Sequence, residues 1–333
     1  MAELRLLVVR LGSMGDILHA LPAVAALRHA HSTAQLDWVV ERKWTDLLAG
    51  CPVVNEVIPQ DRGLAASLRL VRELRARRYD VAVDFQGLYK SAALAFFSGA
   101  KGRLGFAASH AREGAAASFY TQRIEPAGAH VVEMNLSLAR TAGASAGPAQ
   151  FPLQISPDAD AWLDQQLETR QLTEFYVICP GGGWRSKCWP AEQYGHLHRR
   201  LVERHGWRGV VTYGPGERAL AESARLVAGE PEPFVLGADL AQLKALLRRA
   251  KFVVAADTGP LHLAAALGTP VVGLYGPTDP QRNGPYGQLD SVVRNARASQ
   301  TTYQRGRDDS PLMQSIRVEQ VIEAVERRLR VTR

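Results

Sequence analysis

Three stretches of the chain hold the residue types that do chemistry. In "LLVVRLGSMGDILHALPAVAAL" (residues 6–27) an apolar run ends in Gly12 and Gly15, followed at once by Asp16. The spacing resembles a dinucleotide fingerprint without being one: G-x-G-x-x-G needs a middle glycine against the pyrophosphate, and Ser13 and Met14 stand there instead. No Gly-Lys-Ser/Thr follows, so it is no Walker loop either. Two roles fit Asp16. Its carboxylate can cap the helix that follows, or it can project from the turn as a general base. A helix N-terminus keeps it ionised in both cases. On local residues alone the cap suffices, and the choice needs the rest of the chain.

The second stretch, "CPGGGWRSKCWP" (179–190), places three glycines ahead of Lys187. Glycines admit a ligand close to the backbone, and a lysine ammonium adds a point charge suited to phosphate. In the third, "ADTGPLHLAAALG" (256–268), an apolar run ends at Asp257, and Thr258 and Gly259 take N-cap positions. Pro260 fits the first turn and Gly268 the C-terminal end. The free N–H groups there and the Thr258 hydroxyl predict an anion site, with His262 close behind. For His262 by itself, packing against a sheet explains the residue equally well. A further turn, "TYGPGERA" (212–219), offers Glu217 either to a ribose diol or adenine amine or to solvent as a first-turn helix acid. Two phosphate-handling turns and a carboxylate from the other half suggest transfer from a nucleoside diphosphate donor.

Apolar β-rich runs alternate with amphipathic stretches along the chain, and these must position the turns. "LRLLVVRL", "LDWVVE", "NEVIP" and "DVAVDFQG" read as strands in the first half; "FYVICPGG", "GVVTYGP", "PFVLG", "FVVAADTG" and "PVVGLYGP" do so in the second. Most lack polar/apolar alternation, as parallel strands buried on both faces do. Helical patterns fall at 64–78, 191–205, 217–228, 239–250 and 260–267. Small residues, Gly and Pro gather at 141–160, which reads as an interdomain linker. The expected fold is α/β: two doubly wound parallel-sheet domains facing across a cleft, 1–150 and 151–315. Residues 316–333 form a helix whose apolar face, Val318, Val321, Ile322 and Val325, is open to packing back on the first domain. On the helix at 64–78, Leu64, Leu70, Val71 and Leu74 fall on one arc. Its arginines, Arg69, Arg72, Arg75, Arg77 and Arg78, read as a solvated face.

Several motifs in register are similar to glycosyltransferase family 9, the lipopolysaccharide heptosyltransferases, and most similar to its heptosyltransferase I branch. "SMGDILHALPA", "DWVVE", "DFQGLYKSA", "KCWP", "DTGPLHLAAAL" and "YGPTDP" carry the resemblance over nearly the whole chain. It implies a GT-B architecture of two Rossmann-like domains and an inverting, metal-independent transfer. The donor would be ADP-L-glycero-β-D-manno-heptose and the acceptor the Kdo region of nascent lipopolysaccharide. Asp16 falls on the catalytic base of the family. Gly182, Gly183, Lys187, Glu217, Asp257, Thr258, Gly259 and His262 fall on the donor side. Gly182 and Gly183 replace a threonine pair common in that branch, so backbone N–H groups stand in for hydroxyls. Acceptor contacts would come from Ser13, Met14, Gly15, Arg62, Gln86, Gly87, Lys90, Arg112 and Glu113, with arginine suited to acidic Kdo or phosphate groups.

Composition limits the competing readings. At 333 residues, 46% hydrophobic and 22% charged, the chain is in the range of a globular protein of two domains. It shows no run long enough to span a bilayer, and its start reads as a strand rather than a signal peptide. Cys51, Cys179 and Cys188 follow no zinc or redox spacing and suit a reducing compartment, hence the cytoplasm. A formal charge of +7 suits an acidic substrate or an anionic inner leaflet, met peripherally. Basic residues are not interleaved with aromatics as a single-strand nucleic-acid groove requires. The alternatives are a same-fold transferase with another donor or acceptor, a protein included, and a non-catalytic nucleotide-binding protein. No cofactor is called for beyond the ADP-sugar, which is a substrate.

Overall fold

The computed structural model describes residues 3–305 and 310–331. The chain divides into two compact units, Met1–Gln154 and Ile155–Arg333, a few residues beyond the boundary read from composition.

In the first unit the elements run β1 (Arg5–Val9), α1 (Met14–Ala30), β2 (Gln35–Glu41), β3 (Glu56–Gln60), α2 (Leu64–Ala76), β4 (Val81–Asp84), α3 (Tyr89–Phe97), β5 (Gly102–Phe106), β6 (Gln122–Ile124) and α4 (Val131–Thr141). The strands are parallel in the order β3-β2-β1-β4-β5-β6. The first strand therefore lies in the middle. After β3 the chain returns to the other side of β1, so neighbouring connections diverge between β1 and β4. Doubly wound sheets bind ligands beyond the strand ends at that divergence.

The second unit repeats the plan. It runs α5 (Pro157–Thr169), β7 (Phe175–Cys179), α6 (Ala191–His205), β8 (Arg208–Tyr213), α7 (Arg218–Ala228), β9 (Phe234–Gly237), α8 (Leu240–Arg249), β10 (Val253–Ala256), α9 (Gly259–Ala266), β11 (Val271–Tyr275), α10 (Pro280–Asn283), β12 (Val292–Arg294), α11 (Ser310–Gln314) and α12 (Val318–Val331). Its parallel order, β12-β11-β10-β7-β8-β9, reproduces the first sheet, and its divergence lies between β7 and β10.

Three expectations are corrected. The apolar face of α12, Val318, Val321, Ile322 and Val325, is buried in the core of the second unit with Tyr176, Leu197 and Leu274. It has its partner there, not in the first domain. On α2, Leu70 and Leu74 are buried, but Leu64 is 77% exposed because it opens the helix beyond the sheet. Arg77 is more than a solvated arginine: it donates to Glu56, Glu73 and Asp37 and clamps β3 and β2 to the end of α2.

Candidate active site

At the first divergence, β1 runs into Arg10, a buried arginine 4% exposed. Its guanidinium donates to the Phe85 carbonyl after β4 and meets Asp16 Oδ1 at 2.6 Å. Leu11 N–H donates to Gln86 Oε1 at 2.7 Å, so the turns after β1 and β4 are cross-braced. Ser13 is the N-cap of α1, and its N–H and hydroxyl both donate to Asp16 Oδ2 at 3.1 Å. Arg112 reaches both Asp16 oxygens at 3.3 Å from the outside. Asp16 thus caps the helix and also faces two guanidinium groups, with 18% of its side chain exposed. Burial by itself raises a carboxyl pKa. Arg10 first, then Arg112 and the Ser13 N–H, outweigh it and hold Asp16 well below the usual carboxylate range.

The loop carrying Arg112 is held by Gly87 and Glu113. Gly87 has φ +67°, and a Cβ there would lie 3.2 Å from Ala111 Cα and from Arg112 N. Its carbonyl accepts from Glu113 N–H at 2.9 Å, while Glu113 Oε2 accepts from Tyr89 N–H at 2.6 Å, at the start of α3. Beneath them Asp84 accepts from the N–H groups of Gln86 and Gly87, from Ser91 and from the Tyr120 hydroxyl. Burial pushes its pKa up, and these donors work against that rise.

The acceptor-side residues therefore separate. Ser13, Met14, Gly15, Gln86, Gly87, Arg112 and Glu113 gather around Asp16. Gln86 and Glu113 act there through the backbone they hold, which corrects the expectation that both face a ligand directly. Lys90 pairs with Glu41 Oε1 at 3.0 Å, and Glu41 in turn lies against the β1 turn, its N–H donating to Leu11 O at 2.9 Å. Arg62 is exposed on the turn after β3, the edge strand, two strands away from β1.

At the second divergence, Lys187 and Asp257 form a buried ion pair across the ends of β7 and β10. The ammonium also sits 4.0 Å from the centre of the Trp184 ring. Asp257 accepts from Thr278 Oγ1 at 2.7 Å and from Asn283 Nδ2, and His262 Nε2 lies 3.2 Å from it. Burial disfavours its charge, yet the His262 contact and Lys187 hold its pKa well below the ordinary carboxylate value. His262, open in the sequence between packing and ligand contact, faces Asp257 through Nε2. The Thr258 hydroxyl donates back to Ala256 O at 3.0 Å, so the anion-facing donors at the head of α9 are backbone N–H groups, a correction.

Glu217 is the N-cap of α7, and its Oε2 accepts from Gly214 N–H at 3.0 Å. It also folds over the end of β7: a Cβ on Gly181 would lie 2.2 Å from that oxygen. Gly182 packs on Cys188, whereas Gly183 has open space beside it. Glu217, the glycine loop, Lys187, Asp257, Thr258, Gly259 and His262 therefore share one strand-end site.

Sequence reasoning passed over Arg10, Asp84, Trp184, Thr278 and Asn283. Arg10 had a weak signal, a charge just past the apolar run at 6–9 and six residues before Asp16. Thr278 lay inside "YGPTDP", a motif noted with no residue of it given a role.

Comparison with known proteins decides the family. The profile described as glycosyltransferase family 9 (heptosyltransferase) matches residues 67–311. Lipopolysaccharide heptosyltransferase 1 of Pseudomonas aeruginosa is 35% identical, over 86% of this chain and 82% of its own. The chain belongs to glycosyltransferase family 9. Lipopolysaccharide heptosyltransferase 1 of Escherichia coli K12 is 34% identical over 88% of this chain and 94% of its own. Among solved structures, the E. coli heptosyltransferase WaaC with ADP superposes with TM-score 0.78 at 30% identity, covering 98% of this chain and 100% of that one. WaaC is also described with ADP-2-deoxy-2-fluoro heptose. A family 9 structure from Veillonella parvula, 22% identical, matches the fold with TM-score 0.84 and covers 98% of this chain and 97% of that one. This family 9 member is a glycosyltransferase of GT-B architecture.

Proposed function

We propose that the enzyme transfers L-glycero-D-manno-heptose from ADP-heptose to the Kdo or inner-core region of a lipopolysaccharide precursor, with inversion and with Asp16 as general base. The observation that carries this reading is Asp16 itself: an ionised, partly exposed carboxylate at a sheet divergence, flanked by a cation suited to an acidic acceptor. The nucleotides described with the E. coli relative support an ADP-linked donor.

The acceptor hydroxyl oxygen attacks the anomeric carbon as the bond from that carbon to the β-phosphate oxygen breaks. The bonding pair leaves with ADP, and the hydroxyl proton passes to Asp16. A carboxylate under two guanidinium groups is a weak base. Arg112 is the outer and longer-bonded of the two, so an acceptor carboxylate or phosphate draws it off in a forked pair and raises the basicity of Asp16 as it binds. Arg10, held by Phe85 O, keeps the carboxylate aimed. Gly15 and the Ser13 and Met14 backbone line the same turn for the acceptor, while Arg62 and Lys90 attract acidic groups from further out.

On the donor side, backbone N–H groups at Gly182, Gly183 and the head of α9 cradle the diphosphate. Lys187 turns from Asp257 toward the leaving phosphate and offsets its growing charge. Glu217 takes the nucleoside, and His262 with Thr278 keeps Asp257 ionised once Lys187 has turned. These cations do the work a metal does in other transferases. Among the described residues no helix is long and apolar enough to cross a membrane, so a lipid-linked acceptor calls for peripheral contact with the cytoplasmic leaflet.

The test is incubation with ADP-heptose and Kdo-bearing lipid A, followed by mass spectrometry of the product. One added heptose is the expected result. Asp16→Ala is expected to lose transfer while still binding ADP, and undiminished transfer by that variant would falsify its role as base.

A further inference from the structure

A group of aromatic side chains in the first unit takes no part in either site. Tyr89, Phe96 and Phe97 on α3 are 50%, 43% and 47% exposed, well above the burial usual for such rings. They are not scattered. Phe96 lies 5.2 Å from Phe97 and 5.6 Å from Phe119, and Phe119 lies 6.4 Å from Tyr89, all centre to centre and edge to face. Four rings thus make one continuous apolar surface, and such patches on soluble proteins mark places where something binds.

The charge around the patch selects the partner. Of the cations in residues 89–124, Lys90, Lys101 and Arg112 pair with Glu41, Asp80 and Asp16, while Arg103 stands at the rings themselves. Arg103 stacks over the Phe96 ring at 5.2 Å and donates to the carbonyls of Ala100 and Phe119 at 2.9 Å. Carbonyls carry no net charge, so these bonds leave the full positive charge beside the rings. Lys101, 86% exposed at the same end of α3, pairs with Asp80 Oδ1 at 3.3 Å, so Arg103 is the cation that the patch itself holds. Aromatic rings beside a cation match a bilayer boundary, where rings enter the headgroup level and a guanidinium group meets lipid phosphates.

We propose that Tyr89, Phe96, Phe97 and Phe119, with Arg103, form a docking surface for an anionic lipid bilayer. The position gives it a purpose. Tyr89 opens the helix whose first N–H is held by Glu113, the neighbour of the Arg112 that touches Asp16, so docking would bring the Asp16 turn to the bilayer face. The proposal deepens the lipid-linked acceptor reading, and its test needs no acceptor.

The experiment is co-sedimentation of the full chain with vesicles of phosphatidylethanolamine and phosphatidylglycerol, and with phosphatidylcholine vesicles, both free of glycolipid. The native protein should pellet with the anionic vesicles, less so as salt rises, and remain in solution with the neutral ones. Phe96→Ser/Phe97→Ser should lower partitioning at least about tenfold while ADP binding by calorimetry is unchanged. If the double variant does not fold, the single change Phe97→Ser is read against the same controls. No anionic preference in the native protein, or partitioning by the variants equal to native, overturns the proposal. So does a variant that changes only the oligomeric state, because the patch would then bind a second copy of the chain. A failed heptose transfer with intact vesicle binding would strike the proposed function and leave the docking surface standing.

Discussion

At Asp16 two arginines do different work, and the difference can be measured. Arg10 is buried and Arg112 is exposed, so removing Arg10 leaves a partly buried carboxylate with much less compensation. Arg10→Met is expected to cost about 3 kcal/mol at pH 7, in the range for breaking a buried pair. The sign of its pH dependence follows from the lowered pKa of Asp16. A folded-state pKa below the unfolded value of about 3.9 contributes stability that is complete above that value and fades as pH falls toward the folded one. Urea unfolding of native protein and variant at pH 7 and pH 3 should show the gap narrowing in acid, and a gap of constant size would remove the ion-pair account. Gly181 makes a second residue-scale case. A Cβ there would lie 2.2 Å and 2.3 Å from the two Glu217 carboxylate oxygens, the mobile end of a side chain. Gly181→Ala should therefore swing Glu217 aside at little cost in Tm and weaken ADP binding about as much as Glu217→Ala does. Calorimetry reads both, and native affinity in Gly181→Ala would free Glu217 from any nucleoside role.

Among the elements, the short turn after β4 governs the first site more than any helix does. Gly87 combines a positive φ with backbone atoms 3.2 Å from its missing Cβ, so alanine is strained and must push the Arg112 loop outward. Gly87→Ala is expected to destabilise by about 1–2 kcal/mol and to lengthen the Arg112–Asp16 contact. The thermal shift reports the first effect. The second should appear as a raised acidic limb in the kcat/KM profile, and an unmoved limb would deny Arg112 its hold on Asp16. The sequence showed the turn but not this reason for it, and that division holds elsewhere. All nine strands read from apolar runs are present. The edge strands β3 and β9 are only partly buried, while the central ones, buried on both faces, leave an uninterrupted apolar signature. The strands passed over had none: β5 carries two glycines and an arginine, and β6 and β12 are three-residue edges. At the site, the placement of Lys187 and Asp257 past their strands was legible from type and position. For Asp16, local residues left cap and base open, and only the family resemblance pointed to the base. Thr278 was not legible, since it acts on Asp257, a residue of another strand end, and Arg10, though near Asp16 in sequence, is held in place by Phe85 O just past the neighbouring strand. Pattern along one strand says nothing about what its neighbour presents.

At the scale of the whole molecule, one topology appears twice with opposite chemistry. Both sheets diverge beside their first strand, and each places its charged residues just past that point. In the first unit Arg10 and Arg112 surround one carboxylate, which leaves a net positive site. In the second, Lys187 and Asp257 neutralise each other, and what remains is a glycine loop and the N–H groups of α9. A phosphate is attracted to either, but only the second sets its exchangeable cation beside a glycine loop and the N–H groups of a helix head, which together can hold a diphosphate. Besides Lys187, Asp257 has Thr278, Asn283 and His262 beside it, and Asp16 has Ser13 and Arg10 besides Arg112. ADP alone is therefore expected to act on the second unit. At a concentration of 100 Kd it should stabilise by about 2.7 kcal/mol. Hydrogen exchange should slow in 179–190, 214–218 and 257–262, and the turns at 10–16 and 84–88 should exchange as in the free protein. Slowing confined to 10–16 would reverse the assignment of donor and acceptor to the two units. The bare diphosphate, with no nucleoside to engage Glu217, should reproduce the slowing at 179–190 and 257–262 and omit it at 214–218. That contrast separates phosphate from nucleoside recognition within the one unit.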